Sequence, residues 1–180
     1  MKRVAIVPVK RLSNAKMRLS RVLNPRERRV IAEMMLKDVL QALEDSELLD
    51  DIIVTGTDTS VERLAKTYQA KFVKEPSFGL NMSIEYAMER SRKNGATSVL
   101  VTLADIPLMN KADIEQMTRL GLDAAVVISP SRTEGTNALL RTPPDAIRTE
   151  YGYRSFISHI KGVQERDIPF KILWTPSLSF

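Results

Sequence analysis

Two rhythms of apolar and polar positions take turns along this chain. The run Val4-Ala5-Ile6-Val7-Pro8-Val9 reads as a buried strand, and residues 97–103 (with Ser98-Val99-Leu100-Val101-Thr102-Leu103) are the most strand-like stretch of all. Further strands are predicted at 51–55, 71–73, 124–129 and 170–174, with a short apolar piece at 137–140. Between them the spacing turns helical. Asn24-Pro25-Arg26-Glu27 has the residues of a helix start, with Asn as cap, Pro in the first position and Glu in the third. The helix it opens is expected to run to Glu44 and to carry Val30, Ile31, Met34, Met35, Val39 and Leu43 on one broad face. Other helices are predicted at 61–68, 81–93, from Asn110 onward and at 155–164. Such alternation predicts an α/β protein of three αβα layers, a mostly parallel sheet with helices on both faces. In that architecture ligands bind beyond the carboxyl ends of the strands, where the strand order reverses. No repeat, low-complexity tract or linker interrupts the pattern, so residues 1–180 are read as one domain.

Composition narrows the picture further. The 180 residues are 43% hydrophobic and 27% charged, enough for a real core and too apolar for disorder. No apolar run approaches the roughly 18–20 residues of a membrane span, and the amino-terminal apolar stretch is too short for a secretory signal. A cytoplasmic protein acting neither on membranes nor on nucleic acid is expected; aromatics are only 6%, and no stacking platform is interleaved with the bases. The absence of cysteine excludes disulfides, thiolate metal sites and thiol nucleophiles, and any Ser-His-Asp relay has to use the single histidine, His159. Charge is informative by position. Residues 1–30 hold ten bases and one acid, Glu27, whereas the rest of the chain holds 17 bases and 21 acids. That asymmetry points to a bound polyanion near the amino end, against the alternative of a solvated helix face for Arg26, Arg28 and Arg29.

Five loop segments carry the candidate chemistry. Lys10, Arg11, Lys16 and Arg18 follow the first strand directly and suit a triphosphate, although neither a dinucleotide-binding nor a P-loop glycine pattern is present. Asp105, just past the best strand in Ala104-Asp105-Ile106-Pro107-Leu108, stands where Mg²⁺ would bridge protein and phosphate oxygens; Asn110 is the better cap for the next helix. Gly79-Leu80-Asn81 offers a backbone approach to a flat base and an amide for its edge, though Asn81 reads equally as a helix cap. Gly135-Thr136-Asn137 and Gly152-Tyr153-Arg154-Ser155 each set a backbone amide beside a hydroxyl, groups suited to a phosphate or carboxylate or to an ordinary turn. His159, one turn after Ser155, and Asp38, within the first long helix, are read as structural, and the eight methionines as core filler.

Taken in order, Pro8-Val9-Lys10, Ala15-Lys16-Met17-Arg18-Leu19, Gly79-Leu80-Asn81, Ala104-Asp105-Ile106-Pro107-Leu108, Gly135-Thr136-Asn137-Ala138-Leu139-Leu140 and Gly152 with Ser155-Phe156 resemble the 2-phospho-L-lactate guanylyltransferases of deazaflavin coenzyme F-420 biosynthesis. The resemblance covers essentially the whole chain. It implies a nucleotide-diphospho-sugar-transferase-like, Rossmann-like fold and transfer of GMP from GTP to 2-phospho-L-lactate, with Mg²⁺, giving lactyl-2-diphospho-5'-guanosine and pyrophosphate. It implies triphosphate contacts at Lys10, Lys16 and Arg18, a base near Pro8, Gly79, Leu80 and Asn81, and a metal on Asp105. Thr136, Gly152 and Ser155 are implied for the phosphorylated three-carbon acid, and a homodimer is a compatible assembly. No protein base is needed, because the attacking phosphate oxygen is largely ionised at pH 7, its second pKa being about 6. Catalysis then consists of positioning and of neutralising charge between two anions.

Two features depart from the family pattern. Glu134 stands before Gly135-Thr136 where a small or basic residue is usual, and its carboxylate is expected to repel an anionic acid. The family also continues beyond the position of Phe180 with an Asp-rich segment that supplies a second metal ligand, which leaves a truncated sequence and weakened metal binding as alternatives. Rival readings are a nucleotidyltransferase for phosphoenolpyruvate, a sugar phosphate or molybdopterin, and a catalytically inactive nucleotide-binding protein. Positions 10–15 hold no glycine, which counts against the sugar and molybdopterin enzymes.

Overall fold

The computed structural model describes residues 1–12, 15–75 and 79–179. Its sheet is built outward from β1 (Arg3–Val9), whose side chains alternate between two apolar layers: Ala5 and Val7 face one, Val4 and Ile6 the other. On one side of β1 lie β2 (Asp51–Gly56) and then β3 (Lys71–Lys74); on the other lies β4 (Ser98–Thr102). These four strands are parallel. Beyond β4 come β6 (Thr136–Arg141), β5 (Val126–Pro130) and β7 (Phe170–Ile172), giving the order β3-β2-β1-β4-β6-β5-β7. β6 is antiparallel to both β4 and β5, whereas β5 and β7 are parallel. The mostly parallel sheet is as predicted, and the piece foreseen at 137–140 is the reversed strand. Its reversal follows from the short connection after β5, which closes a hairpin with the Ser131 N–H donating to the Gly135 carbonyl at 2.9 Å.

Helices cover both faces. α1 (Pro25–Glu44), α2 (Thr59–Thr67) and α4 (Lys111–Leu120) bury Leu36, Leu40, Leu43, Val61, Ala65, Ile114 and Met117 against one side of the sheet. α3 (Leu80–Lys93) and α5 (Ser155–Glu165) bury Ile84, Ala87, Met88 and Val163 against the other. α1 begins as the sequence predicts: the Asn24 side chain accepts from the Arg26 and Glu27 N–H groups, and Glu27 accepts from the Asn24 N–H. Its buried face differs from the expected one. Ala32, Leu36, Val39, Leu40 and Leu43 point inward, while Val30 and Met34 are 49% and 58% exposed. The small Ala32 and Ala42 let the helix sit close to the sheet, which turns the larger residues Val30 and Met34 outward. The methionines are likewise not a core set: Met88, Met109 and Met117 are buried, but Met1, Met17, Met34 and Met82 are exposed. Arg28 is buried and donates to the Leu23 carbonyl at 2.9 Å, tying the basic segment down onto α1, whereas Arg26 and Arg29 are exposed.

The chain winds outward from β1 to β3 and then returns to the other side of β1 to form β4, so the strand order reverses between β1 and β4. Their carboxyl ends open a crevice there. On the other side of β1, a Cβ on Gly56 would stand 2.6 Å from the Val9 carbonyl oxygen, so only glycine lets β2 end this close to β1.

The rotation of α1 is directly measurable. Leu36→Ala removes a fully buried side chain and is expected to cost about 2–5 kcal/mol, whereas Met34→Ala is expected to stay within about 0.5 kcal/mol. Urea unfolding of the two variants checks this; equal losses would restore the face read from the sequence.

Candidate active site

Residues that leave β1 and β4 emerge side by side. After β1, Pro8, Lys10 and Lys16 line a cleft of about 290 Å³, and Leu80 and Asp105 close it from α3 and from the turn after β4. That turn is held by Ile106 and Met109, both buried, and Asn110 caps α4 in a reciprocal pair with Asp113. Asp105 is therefore not needed as a cap, and its carboxylate remains half exposed at the crevice. Lys16, in a left-handed backbone conformation (φ 52°), reaches across so that its Nζ lies 2.9 Å from Asp105 Oδ2.

On the far side of this ion pair a second cleft of about 740 Å³ is lined by Lys16, Arg18, Leu80 and Asp105 together with Thr136, Gly152 and Ser155. The reversed direction of β6 brings Thr136 to this rim, because a strand antiparallel to β4 begins where β4 ends. Lys16 and Asp105 thus form the charged part of a wall shared by the two clefts, with Leu80 and Leu103 as its apolar part.

Hydrogen bonds knit the second cleft. The Thr136 N–H donates to Ser155 Oγ at 2.9 Å, Thr136 Oγ1 lies 2.9 Å from His159 Nδ1, and the Glu150 N–H donates to His159 Nε2 at 3.1 Å. Ser155 is the first residue of α5 rather than its cap, a position taken by Arg154. The backbone amides of Gly135 and Thr136, expected to serve an anion, are already bonded to Ser131 and Ser155, so the hydroxyls are the groups left for a ligand. Asn81, expected near the base, has its amide turned to the protein. Its amide pairs with the Tyr151 backbone in both directions, at 2.8 and 3.0 Å, and the cap of α3 is Gly79. Gly79 and Asn81 line neither cleft, while Leu80 between them lines both. Ser13, Asn14 and residues 76–78 of the two predicted loops lie outside the described residues.

Glu134 does not act as an open negative charge. Arg154 grips it through two nitrogens, Nε at 2.6 Å and Nη2 at 3.1 Å, and the Phe156 N–H donates to its carbonyl at 3.0 Å. This clasp joins the loops before β6 and α5. The residues stand 20 apart in sequence, and no spacing rule signals the pair. Nor does the sequence show that His159 contacts Thr136.

His159 is fully buried beside Tyr151, whose ring meets it edge-on at 5.1 Å. Burial, reinforced by the Arg141 guanidinium, lowers its pKa to about 4. The ring is therefore neutral at pH 7.

The hard cation expected from the sequence can be tested against the donors present. Among the described residues no group of three or more His, Cys, Asp or Glu could hold a metal by itself. Mg²⁺ fits a different pattern, one carboxylate plus phosphate oxygens and waters, and the half-exposed Asp105 oxygen donors suit that pattern.

A parallel sheet with a reversed strand beyond β4, cations after β1 and a carboxylate after β4 define a nucleotidyltransferase architecture. Solved structures share its fold: a protein from Desulfovibrio desulfuricans G20 assigned to the nucleotide-diphospho-sugar transferases superimposes with a TM-score of 0.76 over 96% of this chain and 80% of its own, at 18% identity. A cytidylyltransferase from Leptospira borgpetersenii gives 0.67 over 98% and 77%, at 15% identity. The family model described as guanylyl transferase CofC like matches residues 3–179, and the chain belongs to that family. Among curated relatives, the phosphoenolpyruvate guanylyltransferase of Sphaerobacter thermophilus is 33% identical over 98% of this chain and 86% of its own length. The 2-phospho-L-lactate guanylyltransferase of Methanocaldococcus jannaschii is 33% identical over 93% and 72%. Among the described residues no helix is long and apolar enough to cross a membrane.

The buried neutral ring has a measurable consequence. The unfolded chain binds a proton on histidine below about pH 6.5, which the folded chain refuses until about pH 4. This contribution to stability is complete above pH 6.5 and is lost as the pH falls toward 4. Proton NMR of the single imidazole is expected to give a midpoint near 4; a midpoint near 6.5 would show that the ring is accessible in the folded protein.

Proposed function

We propose that this guanylyl transferase joins the GMP unit of GTP to a phosphorylated three-carbon acid, releasing pyrophosphate. The observation that carries the proposal is the shared wall: one cation and one carboxylate, Lys16 and Asp105, separate a cleft beside β1 from a cleft lined by hydroxyls. The first is assigned to GTP, with Pro8 and Leu80 against the base and Lys10 and Lys16 on the phosphates. Arg18 lies on the acid side of the wall, where it neutralises the charge of two converging anions. Thr136 and Ser155 offer hydroxyls to the acid, and Gly152 leaves its backbone open beside them, no atom lying within 4 Å of where its Cβ would stand.

A phosphate oxygen of the acid attacks the α-phosphorus of GTP, the new P–O bond forming as the bond to the β-phosphate oxygen breaks. No proton need be removed first, so the chain supplies position and charge rather than a base. When bound, Mg²⁺ supplies positive charge to the phosphate oxygens of the nucleotide. Asp105 is the residue that would hold it, and doing so frees Lys16 for the phosphates. The clasp of Glu134 by Arg154 holds the mouth of the acid cleft while cancelling the carboxylate that would otherwise oppose the substrate.

2-Phospho-L-lactate and phosphoenolpyruvate both carry a phosphate and a carboxylate on one carbon, and the same donors serve both. 2-Phospho-L-lactate follows from the motif resemblance and would place the reaction in coenzyme F-420 biosynthesis. Phosphoenolpyruvate is the second reading, favoured by relatives of that name at 33–37% identity. Pyrophosphate release from GTP with Mg²⁺ and each acid in turn decides between them. No release with either acid would refute the proposal.

Two variants test the wall. Asp105→Asn is expected to keep the fold and lower Mg²⁺-dependent turnover about 100-fold. Lys16→Ala is expected to weaken GTP binding more than GMP binding in calorimetric titrations; equal losses would show that Lys16 does not face the outer phosphates.

A further inference from the structure

Thr136 and Ser155 line the acid cleft and are otherwise buried; a hydroxyl can donate or accept, and an anion needs donors. The hydrogen bonds behind them decide which they do. A backbone N–H can only donate, so the Glu150 N–H at 3.1 Å requires a bare Nε2 on His159. In the neutral ring the proton then sits on Nδ1, 2.9 Å from Thr136 Oγ1, and that nitrogen must be the donor. Thr136 Oγ1 is thereby an acceptor toward the protein, and its own hydrogen is left to turn elsewhere. The same holds one step on: Ser155 Oγ accepts the Thr136 N–H at 2.9 Å, which leaves its hydrogen outside that bond. Among the described residues neither hydroxyl donates to another protein group, and the cleft is what they line.

We infer that His159 is a positioning residue for the acid pocket: by donating its one ring N–H to Thr136 it fixes that hydroxyl, in line with the Ser155 hydroxyl, as a donor aimed at the cleft. The pocket so built accepts ionised oxygens and disfavours a group that must itself donate. This rests on the assignment of the hydroxyl-lined cleft to the acid. It also accounts for Asn81. By holding the Tyr151 backbone in both directions, Asn81 fixes the segment whose Glu150 N–H sets the tautomer, while the Tyr151 ring packs on the imidazole. Polarity is thus relayed from α3 through the 150–151 segment and His159 to the substrate groups, with no residue of the relay before Thr136 needing to touch substrate.

Because the chain has one histidine, ¹⁵N NMR of the labelled full-length protein reads this ring alone. At pH 7 and without substrate, the proton is expected on Nδ1; a proton on Nε2 would overturn the inference by itself. Kinetics supply the second arm. His159→Asn keeps an N–H donor near the place of Nδ1, whereas His159→Gln keeps only a group near the place of Nε2. For whichever of the two acids is turned over, His159→Gln is expected to raise the acid KM about ten- to a hundred-fold, the worth of a hydrogen bond to a charged group, with little change in the GTP KM. His159→Asn is expected to recover most of that loss. If the two variants lose melting temperature and kinetic performance alike, with both substrates affected, His159 is merely structural and the inference is wrong. Absence of turnover with either acid would instead overturn the proposed function, and the tautomer measurement would still judge the relay.

Discussion

Everything in this site depends on two parallel strands ending next to each other although nearly 90 residues separate them in the chain. The pairing of β1 with β4 fixes Val4 opposite Val99 and Ile6 opposite Val101, and that register determines where Lys10 and Asp105 emerge. A slip by one residue would turn every side chain of β4 to the other face. Alternate positions of both strands are buried in two separate apolar layers, so such a slip would bury nothing correctly. The functional geometry is therefore protected by the cores. Neither Lys16 nor Asp105 is deeply buried, and their ion pair alone, partly exposed to water, would fix little.

Charge in the protein is arranged so that cations face the place where anions meet while stray acids are matched. Glu134, next to the cleft-lining Gly135, is gripped by Arg154. Asp105 is matched by Lys16, a partner that can leave when another cation takes its place. Deeper in, Arg141 is fully buried; it donates to the Ile147 carbonyl and to Thr149 Oγ1, and Glu85 comes no closer than 3.9 Å. Burial keeps the His159 ring neutral, and this guanidinium adds to it by opposing a second positive charge there.

Much of the architecture was legible in the sequence because it is carried by local chemistry. The cap at Asn24, the cap at Asn110 and the apolar runs of β1 and β4 are each decided within a few residues. The direction of β6 was not, since an apolar piece of four to six residues carries no sign of which way it runs. The inner face of α1 was read in part: Val39 and Leu43 are buried as expected, whereas Val30 and Met34 are exposed and Ala32, Leu36 and Leu40 take the inward positions. In the site, residues that follow strands were found where expected, because strand ends share a rim. The pairing of Asn81 was not legible, because its partner, the Tyr151 backbone, lies 70 residues away and offers no side-chain signature. The Glu134–Arg154 clasp and the His159–Thr136 contact were hidden for the same reason.

The hairpin of β5 and β6 carries a consequence for how such proteins diversify. The nucleotide half of the cleft is assembled from strands far apart in sequence, and altering any of them disturbs the whole sheet. The hydroxyls of the proposed acceptor half come from the end of a short turn and the start of one helix, segments that lie close along the chain. Changes of acceptor can therefore accumulate in a local, quickly formed module while the costly long-range scaffold is inherited intact. One ancestral nucleotide-handling machine could be fitted to new partner acids by editing its last third.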